Sequence, residues 1–201
     1  MSYTVKELFY TLQGEGAQSG TPAVFCRFTG CNLWSGREED RATAKCAFCD
    51  TDFVGGERYR TADILAAAAR HLSRSCRWVV CTGGEPLLQL DAALIRAFHL
   101  YGFKVAIETN GTIAAPLELD WICVSPKAGQ PLLQTSGDEL KVVFPQEGLD
   151  MHALRTLNFH HHFVQPMDGL LKQENTKRAI EYCKAHGWRL SLQTHKLVGI
   201  P

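Results

Sequence analysis

The chain has 201 residues, 45% of them hydrophobic, with 21 lysines and arginines against 21 aspartates and glutamates. That length suits one ordinary domain burying roughly 70% of its unfolded surface, and the charge balance leaves no basic footprint for nucleic acid, so small-molecule partners are expected. No apolar run approaches the roughly 20 residues needed to cross a bilayer, and Met1-Ser2-Tyr3-Thr4-Val5-Lys6 is no basic-then-apolar leader, so a cytoplasmic protein is expected, its eight cysteines reduced thiols or metal ligands.

In chain order, the first core strand is predicted at Ala23–Phe28 and carries Arg27 among apolar neighbours. Ser35 to Lys45 is polar and without periodicity, and Glu38-Glu39-Asp40-Arg41 within it reads as a solvated loop. Thr61 can cap a helix whose Ile64, Leu65, Ala68 and Leu72 share a face. A strand over Arg77–Cys81 precedes a helix over Asp91–Leu100 that buries Leu94, Ile95 and Phe98. Strands follow at Lys104–Glu108, Trp121–Val124, Leu140–Phe144 and His162–Gln165. Asn175 can then cap a helix over Thr176–His186 that ends at Gly187, before a last strand over Arg189–Gln193. Repeated βα order implies an α/β protein with a mostly parallel sheet. Six or seven strands are too few for an eight-fold barrel of roughly 250 residues, so an incomplete, TIM-like βα barrel of about six parallel strands is expected.

Ligands of such folds gather at the carboxyl ends of the strands. The segments found there are Thr29-Gly30-Cys31, Thr82-Gly83-Gly84-Glu85-Pro86, Thr109-Asn110-Gly111, Ser125-Pro126-Lys127 and Pro166-Met167-Asp168. Gly-Gly after a strand is by itself most often a turn. More telling is Cys31, Cys46 and Cys49 in the spacing C-x14-C-x2-C, followed by Asp50-Thr51. Three readings stand side by side: unconnected buried thiols; structural zinc with Cys26 as fourth ligand; or a 4Fe-4S cluster with three thiolates and one iron free for a ligand. Strand alternation puts Cys26 with Val24 and Phe28, away from the loop that begins after Gly30, and the position of the motif after a strand favours the cluster. Cys76, Cys81, Cys123 and Cys183 read as buried thiols. His160-His161-His162 could bind a metal, but adjacent histidines on a strand face opposite sides, so a shared ion is the lesser reading.

Cys31, Cys46 and Cys49, Phe48 at the aromatic place, and Gly83-Gly84-Glu85 after the next strand make the chain resemble the radical S-adenosylmethionine (SAM) enzymes. A closer resemblance runs nearly the whole length. Leu12-Gln13-Gly14-Glu15-Gly16, Arg27, Cys49-Asp50-Thr51, Thr82-Gly83-Gly84-Glu85-Pro86, Glu108-Thr109-Asn110-Gly111, Ser125-Pro126-Lys127 and Gln193-Thr194-His195-Lys196 look like the 7-carboxy-7-deazaguanine synthase family, some of whose members carry a lengthened cysteine loop.

The resemblance implies a lyase of queuosine-type 7-deazapurine biosynthesis that converts 6-carboxy-5,6,7,8-tetrahydropterin to 7-carboxy-7-deazaguanine with loss of ammonia. SAM would be regenerated as a cofactor. It also implies one radical SAM domain over 1–201 with an extended cluster-binding loop at 31–49, a 4Fe-4S cluster on Cys31, Cys46 and Cys49, and Mg2+ on Thr51. SAM would be held by Phe48, Cys49, Asp50, Gly84, Glu85, Ser125, Pro126, Lys127, Gln165, Pro166, Met167 and Asp168. Substrate would meet Leu12, Gln13, Gly14, Glu15, Arg27, Thr82 and the terminal Pro201. Arg27 needs an anion, since a buried unpaired guanidinium is costly; that anion is either the substrate carboxylate or a structural partner. A reducing electron-transfer protein such as flavodoxin or ferredoxin and a homodimer complete the expected partners.

Overall fold

Nine strands form one sheet in the computed structural model, which describes residues 1–201. They are β1 (Tyr3–Leu12), β2 (Pro22–Phe28), β3 (Glu57–Tyr59), β4 (Trp78–Gly83), β5 (Lys104–Thr109), β6 (Trp121–Val124), β7 (Ser136–Phe144), β8 (Asn158–Pro166) and β9 (Arg189–Leu190). The α-helices are α1 (Ala62–Leu72), α2 (Ala92–Leu100), α3 (Met151–Arg155), α4 (Lys172–His186) and α5 (Thr194–Val198). The spatial order is β3-β1-β2-β4-β5-β6-β7-β8-β9, with β3 and β9 as its two edges. Strands β2 and β4 to β9 run parallel, while β1 and β3 are antiparallel additions beside β2. The sheet is thus a partial βα barrel whose seven parallel strands each fall on a strand expected from the sequence, while the antiparallel β1 and β3 do not.

The period of two along each strand divides the molecule. Val24, Cys26 and Phe28 on β2, Val79 and Cys81 on β4, and Val105 and Ile107 on β5 pack with Leu65 and Ala69 of α1 and Leu94, Ile95 and Phe98 of α2. Leu140 and Val142 on β7 and Val164 on β8 pack with Ala179 of α4 in the same way. The alternate residues turn to the barrel interior, where Ala23, Val80 and Ala106 form a small apolar floor with Phe25, Trp78 and Trp121.

Several expectations are corrected. Strand β1 is absent from the sequence prediction because the pairing register with β2 shifts between Val5 and Glu7, and such a bulge breaks the alternation of apolar residues. In α1, Thr61 does accept a hydrogen bond from Ile64 N, but the buried residues are Leu65, Ala66 and Ala69, with Ile64 and Leu72 exposed. Four consecutive alanines give the helix no apolar contrast to fix its inward face. Asn175 does not cap α4, which begins at Lys172; it is buried inside the helix and donates to Met167 O at 3.0 Å. Strand β9 ends at Leu190, after which the Ser191 hydroxyl turns inward to Gln165 at 2.7 Å.

Candidate active site

The interior face presents a row of polar residues, about one per strand: Arg27, Thr82, Glu108, Ser125, Lys141 and Gln165. Arg27 and Thr82 are direct neighbours in the β2–β4 register, and Val143 pairs with Gln165 between β7 and β8. These residues line a cavity of about 470 Å³ at the carboxyl ends of the parallel strands. A cavity of that size holds a small-molecule ligand.

The cysteine segment forms one wall. Cys31, Cys46, Phe48, Cys49, Asp50 and Thr51 all line the same cavity. Glu38-Glu39-Asp40-Arg41, expected to be a solvated loop, instead lies in a 3-10 helix over Glu38–Thr43, from which Arg41 reaches back to the carbonyls of Ala47 and Cys49 at 2.8 and 2.9 Å. The Arg41 guanidinium lies 4.2 Å from the centre of the Trp34 ring, and Trp34 packs edge-on against buried Phe53. The long insertion is therefore a folded buttress for the Cys46–Cys49 turn. Nothing in its polarity pattern signals that, because the contacts come from residues 6 to 19 places apart.

Gly84 fixes the first cysteine. A Cβ there would overlap the carbonyl of Gly30 and the Cys31 side chain, and the backbone N–H groups of Gly84 and Glu85 donate to Phe28 O at 3.3 Å and Gly30 O at 2.9 Å. The Gly-Gly segment is thus more than a turn: its bare backbone seats the Cys31 loop. Burial raises the Cys31 thiol above its ordinary range, against N–H groups of Leu33 and Trp34 that favour the thiolate. The neighbouring Cys46 thiol pulls Cys49 down to about 6.

Cys26 is fully buried on the helix-facing side of β2, whereas Arg27 lines the cavity. No three His, Cys, Asp or Glu side chains converge on a single-ion position. Three thiols on one cavity wall, with Cys46 and Cys49 side by side, fit a polynuclear cluster, whose corners each take a separate thiolate. Cys26, the fourth ligand of the zinc reading, faces away from that wall. Lys127 stands near Cys46, Cys49 and Glu85 and is held by the Ser125 carbonyl and hydroxyl at 2.6 and 2.8 Å. Burial lowers its affinity for a proton, and the adjacent thiols oppose that shift.

The turn after β1 supplies the opposite wall. Gln-Gly-Glu-Gly in isolation is only a flexible turn, yet here it is bonded across to the far strands. Gly16 N donates to Ser191 Oγ at 3.0 Å, Ala17 N to Glu139 Oε2 at 2.9 Å, and Thr194 N to Gly14 O at 2.9 Å. Gly14 packs directly under His195, leaving no room for a Cβ. Gln13 Nε2 donates to Glu108 Oε1 at 2.9 Å, and Lys141 Nζ donates to Glu15 Oε2 at 2.5 Å.

Around the rim, Leu12, Ser125, Gln165, Pro166, Met167, Asp168 and Pro201 also line the cavity, and Thr11 donates to Pro201 O at 3.2 Å. Of the two partners considered for Arg27, the structural one is present: its Nε donates to Glu7 at 2.8 Å, and the side chain also lines the cavity. Two of the expected cofactor contacts lie outside the lining. Pro126 is buried, and Glu85 is buried with its oxygens accepting from Thr109 Oγ1 at 2.7 Å, Asn110 N at 2.8 Å and Leu87 N at 3.0 Å. Glu85 therefore braces the turns after β4 and β5. Lining residues to which the sequence assigned no role include Glu108, Asn110, Lys141, Gln193, His195 and Lys196. Alternation along β5 and β7 was the available signal for Glu108 and Lys141.

Comparison with known proteins identifies the arrangement. Residues 40–201 match the radical SAM superfamily, a match that starts after Cys31. The chain is 58% identical to the 7-carboxy-7-deazaguanine synthase of Caulobacter vibrioides and 50% identical to that of Nitratidesulfovibrio vulgaris, over the whole of each chain. The crystal structure of QueE from Escherichia coli superposes with a TM-score of 0.72 at 31% identity, covering 97% of this chain and 95% of that one. The chain belongs to the 7-carboxy-7-deazaguanine synthase family.

Membership in the 7-carboxy-7-deazaguanine synthase family makes the chain a radical SAM enzyme, which implies a 4Fe-4S cluster, SAM, a reductant and a small-molecule substrate. The partial barrel is common to the family's solved QueE structure. No helix is long and apolar enough to cross a membrane.

Proposed function

We propose that the chain converts 6-carboxy-5,6,7,8-tetrahydropterin to 7-carboxy-7-deazaguanine and ammonia, within queuosine-type 7-deazapurine biosynthesis. The observation that carries this is a single cavity joining the three-thiol wall to a wall of carboxylates, amides and one guanidinium. Product and ammonia together contain every atom of the substrate, so no net oxidant is consumed and SAM can act as a regenerated cofactor.

Cys31, Cys46 and Cys49 would hold the cluster, and Phe48, Gly84, Ser125, Lys127 and Gln165 to Asp168 would hold SAM. When bound, that pair supplies a hydrogen-abstracting radical, the hard chemistry that a protein side chain cannot provide. The chain's own residues bind, orient and shield. Only Nε of Arg27 is engaged by Glu7, so the outer nitrogens of the guanidinium are available to a substrate carboxylate, which Arg binds in a two-pronged fashion. Leu12 to Gly14 bring backbone against the ring, and Glu15, Gln13 and Glu108 offer acceptors to the N–H groups of the amino-pyrimidine edge.

Thr51 lines the cavity and would serve as one ligand of Mg2+, with substrate and water oxygens completing the octahedron. Flavodoxin or ferredoxin fits the need for a low-potential one-electron donor. A homodimer fits an open barrel whose edge strands β3 and β9 each lack a neighbour on one side.

Anaerobic reconstitution with iron and sulfide tests the cofactor part of this reading. A brown protein carrying close to four irons and four sulfides per chain, which loses them in air, is the expected result. A colourless, air-stable protein that takes up zinc instead would mark a zinc-stabilised binding module and sink the enzyme reading.

A further inference from the structure

Lys141 lies in the middle of β7, only 4% exposed, on the strand face that looks into the barrel. Its ammonium stands 2.5 Å from Glu15 Oε2 and 3.6 Å from Glu108 Oε2. Glu139 of β7 and Cys123 of β6 face it as well, Cys123 Sγ lying 3.5 Å from Glu139 Oε1. The other Glu15 oxygen accepts from Gln193 Nε2 at 3.1 Å, and Gln13, which donates to Glu108, accepts from Glu15 N at 3.1 Å. One cation therefore organises two acids that both line the cavity, one on the turn after β1 and one on β5.

We propose that Lys141 is a positioning residue that holds Glu15 and Glu108 as oriented carboxylates, and thereby makes the cavity select a ligand edge carrying adjacent N–H donors over the same ring bearing an oxo group. The inference rests on the pterin reading above and deepens it. Burial by itself would push the Glu15 carboxyl up; the charge of Lys141 and hydrogen bonds from Lys141, Gln193 and Gln165 reverse this and hold it at about 2. A neutral carboxyl would keep only its carbonyl oxygen as a good acceptor and present an O–H donor on the other, a poorer match to adjacent ligand N–H groups. A buried polar partner left unmatched is what makes such a site discriminating. The groups facing Glu15 are Lys141, Gln165 and Cys123 from the sheet and Gln193 from the segment before α5, with Glu108 and Glu139 facing the same Lys141 and His195 packed over the adjacent Gly14.

The test is fluorescence titration of the anaerobic, cluster-loaded protein with SAM, using unreactive 6-carboxypterin and 6-carboxylumazine, which carries oxygen in place of the 2-amino group. For the unaltered chain, 6-carboxypterin should bind about tenfold or more tighter than 6-carboxylumazine, with affinity flat from roughly pH 5 to 7.5. Lys141→Met should weaken pterin binding at least about tenfold at the acid end, with recovery as pH rises and a loss of preference between the two ligands. Lys141→Arg should restore the flat profile. A merely structural lysine would lower the melting temperature without moving either the pH profile or the preference. If the unaltered chain binds pterin selectively and a folded Lys141→Met variant matches it, the Lys141 assignment fails alone; if the unaltered chain binds neither ligand, the pterin reading fails and takes the assignment with it. Carbon-13 NMR of the Glu15 carboxyl in the unaltered protein covers a variant that does not fold. No titration between about pH 4.5 and 8 is expected, and a titration in that window overturns the proposal.

Discussion

Lys196 Nζ donates to Asp168 Oδ2 at 2.6 Å and, from the same ammonium, to Asp50 Oδ2 at 2.6 Å. One side chain on α5 thus ties the turn after β8 to the residue following Cys49. The hydrogen bond from Lys196 is the largest influence holding the Asp168 carboxyl down at about 2, with Lys172 adding to it. Because the three groups remain partly in solvent, the triad should contribute little to folding, on the order of 1 kcal/mol or less. Its effect should be on the relative placement of the cavity walls. Lys196→Ala is expected to weaken SAM binding several-fold while shifting the melting temperature only slightly, as measured by equilibrium dialysis and thermal melts. A large loss of stability with unchanged SAM affinity would refute this role.

Gly84→Ala tests the seating of the first cysteine. The added Cβ meets backbone, which cannot rotate away as a side chain would, so the Gly30-Cys31 turn must move. The variant should fold, with far-ultraviolet circular dichroism unchanged, yet retain much less iron after reconstitution. Full iron content would show that Cys31 is placed without this contact.

Cys46→Ala and Cys26→Ala should separate cleanly. The first removes a cavity-lining thiol and should abolish cluster assembly; the second removes a sulfur from the core between β2 and the helices, costing about 1 kcal/mol of stability and leaving iron binding intact. Iron and sulfide analysis beside urea unfolding decides the point. The opposite pattern would return Cys26 to the ligand set.

His162 gives the fold a dependence on pH away from the site. Its buried Nε2 has no hydrogen-bond partner, its ring meets Trp188 at 5.1 Å, and burial, followed by Arg155 and His161, depresses its affinity for a proton. For a group depressed in the folded state, the stabilising contribution is complete above the unfolded pKa of about 6.5 and is lost as pH falls through the folded value. Urea unfolding midpoints should therefore fall between pH 7.5 and 5.5, and His162→Phe, which keeps an aromatic ring against Trp188, should flatten that fall. An equally steep fall in the variant would assign it to other groups.

Much of this architecture was legible because the interior strands are short, β-branched and bounded by polar turns, so strands such as Lys104–Glu108 and Trp121–Val124 nearly coincide with β5 and β6. The cysteine spacing and Gly83-Gly84-Glu85 similarly marked the cavity's cofactor side. What was not legible depends on contacts across the fold. β1 hides behind its bulge, α1 behind its alanines, and the buttress made by Arg41, Trp34 and Phe53 behind a polar loop. Lys141 was passed over because a lysine in an apolar strand explains itself only when Glu15, 126 residues earlier, is seen beside it.

Product identification tests the central claim most directly. The reconstituted protein would be incubated anaerobically with 6-carboxy-5,6,7,8-tetrahydropterin, SAM, Mg2+ and a reduced flavodoxin, and the mixture read by mass spectrometry. The expected result is 7-carboxy-7-deazaguanine with ammonia over many turnovers per SAM. Cluster-loaded protein that leaves the pterin unchanged, or that consumes SAM without forming the deazapurine, would contradict it.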